Sequence, residues 1–223
     1  MKAIIFDLNY EIKEKKMGSN EIITNYYITH ISYIIYDFDN LKILLTQCYD
    51  IDLYHRAQRI LNKRDGNVII SNNKIRHIIA IINYYLKLCD IFISYDIELV
   101  KKILNEESNR NSITCEIETS QISMYCVLEI YKKIFNNHFL DLKNNTSYNG
   151  YFNEGNYYSI YNNKTHTKLY VIYLELFKLS YLYNITHCFL NCLLIMRIYY
   201  KFVTSHDIEY IDMNIKRLRI MNS

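Results

Sequence analysis

Apolar positions follow two different periods along this chain, and the change from one to the other predicts its layout. Lys2 to Asn9 is an apolar run without helical spacing, read as a buried strand, and the polar stretch Glu11 to Asn25 reads as a solvent loop. Tyr27 to Tyr36, YITHISYIIY, alternates and is rich in aromatic and β-branched residues, as a half-buried strand requires. Asp37-Phe-Asp-Asn supplies turn residues, and Leu41 to Tyr49 follows as a third strand. These predict an antiparallel meander at the amino end. From Lys74 the period lengthens: Ile75, Ile78, Ile79, Ile82, Tyr85 and Leu86 share one face of an amphipathic helix. Cys89 to Ser94 reads as a short strand feeding a helix over Asp96 to Asn105. Further helices are expected over Ser123 to Phe135, Lys168 to Tyr181 and Asn184 to Phe202. Polar surface insertions are expected at 106–114 and 136–163, within a single domain spanning 1–223. Strands first and strand–helix alternation afterwards predict an α/β fold, a mixed sheet with helices on both faces.

Composition changes this picture little. At 223 residues, 50% of them hydrophobic, the chain is long enough to bury an ordinary core. It has no proline and only Gly18, Gly66, Gly150 and Gly155 as glycines, with an excess of Asn, Ile, Lys and Tyr. Those residues share A/T-rich codons, so the bias describes a genome rather than a fold, and Asn, Asp and Ser clusters must mark the boundaries. A net charge of +3 permits nucleic acid contact without requiring it. Cys48, Cys89, Cys115, Cys126, Cys188 and Cys192 form no CxxC pair and read as reduced thiols, which points to an intracellular, reducing compartment. The first apolar run ends at Asp7, too soon for a signal peptide. Ile185 to Val203 comes nearest to a membrane span, but His187, Asn191, Arg197 and Lys201 interrupt it, so a buried helix and no membrane contact are expected. Walker A and GxGxxG patterns are absent, which argues against a nucleotide-cofactor fold.

Three short segments carry the candidate chemistry: FDLN at Phe6 to Asn9, SYDIELV at Ser94 to Val100, and His187 to Cys192. Phosphodiester hydrolysis by two metals needs several carboxylates around cations about 4 Å apart. Asp7 ends one apolar strand and Asp96 opens a helix after another, and Asp7 and Asn9 share a strand face. Each residue also has a plainer reading. Asp7 is then a strand-end carboxylate, Asp96 a helix N-cap, His187 a satisfied histidine near a helix start and Cys192 a core thiol. His187, Cys188 and Cys192 fall short of a zinc site because no second ligand pair stands at finger spacing. Lys101-Lys102, Lys132-Lys133 and the run NIKRLR at Asn214 to Arg219 read as solvated faces, with phosphate contact as the sharper alternative. The 24 tyrosines follow from codon bias, although tyrosines also stack on unpaired bases.

In order and spacing these segments resemble the motifs of the DEDDh family of 3′-to-5′ exonucleases. FDLN resembles FDTE, SYDIELV resembles SFDxxxL, and His187 to Cys192 resembles HNALxD. ITHISYIIYDFDNLKI is similar to the family's second and third strands and MYCVLEIYKKIF to its helix after the second motif. The chain looks most like the exonuclease-type proteins of large DNA viruses, which carry a similar KLxELYxxLF segment before the third motif. The resemblance runs from Met1 to about Phe202. It implies an RNase H-like fold, Mg²⁺ or Mn²⁺ as cofactor, Asp7 bridging both ions, Asp96 as a second ligand and His187 as the base that deprotonates water. It implies single-stranded DNA or RNA 3′ ends as partners and, for a viral protein, an infected host cell as the setting.

The chain departs from the family at decisive positions. Asn9 replaces the first-motif glutamate, Cys192 the last aspartate, and Ile91-Phe92 the His-Asn pair before the second aspartate. Losing one well-placed ligand or its support costs roughly 10- to 100-fold in affinity or activity, so the resemblance implies a degenerate site, catalytically weak or inactive. An active exonuclease is the alternative, with Glu11, Asp90 or Glu98 supplying the missing charge, and a structural or host-interaction protein is the third.

Overall fold

Five strands, β1 (Lys2–Met17), β2 (Glu21–Asp37), β3 (Lys42–Asp50), β4 (Ile91–Ser94) and β5 (Ser123–Cys126), form one mixed sheet in the order β3-β2-β1-β4-β5. The computed structural model describes residues 1–17, 21–51, 73–134, 169–177, 188–208 and 211. Strands β1, β2 and β3 are an antiparallel meander, and β4 and β5 continue it in parallel with β1. The helices are α1 (Asn73–Leu88), α2 (Ile97–Arg110), α3 (Val127–Ile134), α4 (Leu169–Leu176) and α5 (Cys188–Thr204).

β1 reads as a continuous apolar run because both of its faces are covered. Ala3 and Ile5 pack with α3, α4 and α5, whereas Ile4, Phe6 and Leu8 pack with α1 and α2. The expected mixed sheet with helices on both faces is therefore present. The spacing read for α1 holds as well: Ile75, Ile78, Ile79, Ile82 and Leu86 are all buried.

Three expectations are corrected. Most of the expected loop at Glu11 to Asn25 is strand: β1 and β2 run on as a two-stranded ribbon, pairing Glu11 with Tyr27 and Glu14 with Thr24. The end of α2 holds the ribbon's outer side, where the Tyr26 amide donates to Glu106 at 3.3 Å and Arg110 donates to the Tyr26 carbonyl. Lys102 lies over the Tyr26 ring and Lys13 over Tyr27. Charged residues that look like loop in sequence are here the solvated positions of a ribbon. The insertion expected at 106–114 is helix over Glu106 to Arg110, with Glu107 and Ser108 buried. Glu107 is paired with Arg110 and accepts from the Asn111 side-chain amide, and the Ser108 hydroxyl donates to the Leu104 carbonyl at 2.6 Å. The helix expected from Ser123 begins only at Val127, since Ser123 to Cys126 pair with Ile91 to Ser94 as β5. The insertion expected at 136–163 lies outside the described residues.

Among the described residues no helix is long and apolar enough to cross a membrane. Arg197, which interrupts the apolar run of α5, is buried. It donates to both carboxylate oxygens of Asp207 at 2.7 and 2.6 Å and to the Tyr173 hydroxyl, with Phe177 stacked 3.9 Å away.

Candidate functional site

Asp7 lies inside β1 rather than at the strand end expected for it, but the sheet brings Asp7 and Asp96 to the same end of the ladder between β1 and β4. β1 and β4 pair in register from Ala3 with Ile91 to Phe6 with Ser94, so Asp7 is the first residue past that ladder on one strand and Asp96 follows Tyr95 on the other. The two carboxylates then diverge. Asp7 shares the strand face of Ala3 and Ile5, toward α5, whereas Asp96 caps α2, which packs on the opposite face. The Asp96 carboxylate accepts from the Leu99 amide at 3.1 Å.

Asp7 is half-buried against α5. Asn191 donates its side-chain N–H to Asp7 Oδ2 at 2.9 Å, and the buried Cys188 thiol lies near the carboxyl. Cys192 is fully buried, its thiol donating to the Ser32 carbonyl at 3.3 Å. Ser32 pairs with Asp7 across the β1–β2 ladder and donates its own hydroxyl to Cys48 at 3.1 Å. Burial pushes the Asp7 carboxyl up to about 7, and hydrogen bonds from Asn191 and the Leu8 amide, with the nearby Cys188 thiol, pull it only partly back. Burial also pushes the Cys188 and Cys192 thiols up, and the nearby Asp7 charge adds to the effect, so both stay neutral.

This donor set does not fit a pair of hard dications, which take oxygen ligands. Asn191 turns its N–H to Asp7, Cys192 offers a protonated thiol, and Asn9 on the same strand face offers no charge. Among the described residues no three His, Cys, Asp or Glu side chains converge on a metal position. The proposed substitutes lie elsewhere. Asp90 precedes β4 at the other end of the sheet, where its carboxylate accepts from the Lys2 amide at 2.7 Å. Glu98 is exposed and pairs with Lys101 at 3.1 Å. Glu11 is exposed on the ribbon, about 13 Å along the strand from Asp7 at the usual rise. His187 lies outside the described residues.

Two residues of the site escaped the sequence reading. Asn191 had a signal, being the one polar side chain in the apolar stretch CFLNCLLIM. Ser32 had none beyond its place on a strand whose neighbours are large. Searches for a matching family model, curated protein or solved structure returned no match.

Proposed function

We propose that this chain is an RNase H-like protein of the DEDDh exonuclease type that keeps the fold and has lost two-metal hydrolysis. The contact between Asp7 and Asn191 carries the reading: it joins the first and third motif segments at 2.9 Å across 184 positions of sequence. The antiparallel meander continued by two parallel strands supports the fold. Where the family has a glutamate and an aspartate, Asn9 and Cys192 leave Asp7 as a lone carboxyl among amide, hydroxyl and thiol groups. Such a protein binds a single-stranded DNA or RNA 3′ end without cutting it, and retains neither Mg²⁺ nor Mn²⁺ as a catalytic pair.

Digestion of 3′-labelled single-stranded and duplex DNA and RNA, with Mg²⁺ or Mn²⁺, tests this against the Asp7→Ala/Asp96→Ala variant. The expected result is retention of the strand on the protein and no trimming by either form. Metal-dependent trimming that the double variant loses would overturn the reading and make the chain an exonuclease with ligands from other positions. Folded protein that neither binds nor trims would point to a structural or host-interaction role.

A further inference from the structure

We draw no further inference here: the strongest candidate, the aromatic groove between β3 and α1 lined by Tyr33, Tyr49, His77, Tyr84 and Tyr85, carries nothing because nothing among the described residues shows what covers it.

Discussion

Burial holds the Asp7 carboxyl up to about 7, so the folded chain binds a proton there at pH values where the unfolded chain has already released it. The sign follows from that. Any stability tied to this proton is present in acid and is lost as pH rises from the ordinary carboxyl range through about 7. Asp7→Asn, similar in shape and unable to ionise, is therefore expected to raise the thermal midpoint above pH 7 and to change it little in acid. An equal shift at both pH values would show that another group titrates. Asp207 has the opposite sense. Its hydrogen bonds to Arg197 lower its carboxyl, so its contribution is present above the ordinary carboxyl range and is lost as pH falls through the depressed value. Asp207→Ala leaves the Arg197 guanidinium, 6% exposed, without its anion. The expected loss in urea unfolding at neutral pH is about 3 kcal/mol, shrinking as the parent protein is titrated into acid.

The capping role of Asp96 belongs to the helix it starts. Removing that cap with Asp96→Ala is expected to cost about 1 kcal/mol in chemical denaturation, with Asp96→Ser recovering most of it. A loss confined to nucleolytic activity, with stability unchanged, would make Asp96 a ligand instead. Legibility differed by element for physical reasons. α1 and β2 are long enough for their period to show, and so were readable. β5 is four residues long and shows no period, while the far end of the β1–β2 ribbon is so charged that it resembles a loop. At the candidate site, the stop of the apolar run marked Asp96 correctly as the residue that opens α2 but misplaced Asp7, which lies inside β1 (Lys2–Met17) and only at the end of its ladder with β4. The Asn191 amide was not legible, since only tertiary packing joins residues 184 apart. Asp90 failed as a substitute because β4 runs parallel to β1, which places its start at the end of the sheet away from Asp7.

Across the whole molecule, ligands that bind only the folded state raise its unfolding midpoint. Adding Mg²⁺, Mn²⁺ or a chelator is expected to leave the midpoint of the parent chain unmoved, as read by differential scanning calorimetry. Asn9→Glu/Cys192→Asp inverts this expectation. Two further carboxylates crowded against Asp7 should lower the midpoint without metal, and Mn²⁺ should restore part of the loss. A Mn²⁺-dependent rise in the parent would contradict the assignment of a lost site. The position of β1 has a separate consequence for how the chain is made. It lies earliest in sequence yet innermost in the sheet, with one face covered by α5. On the ribosome, that face is not fully covered until α5 (Cys188–Thr204) has emerged. Burial of β1 is therefore a late, long-range event, slow to close and open to chaperone capture or misassociation while it waits.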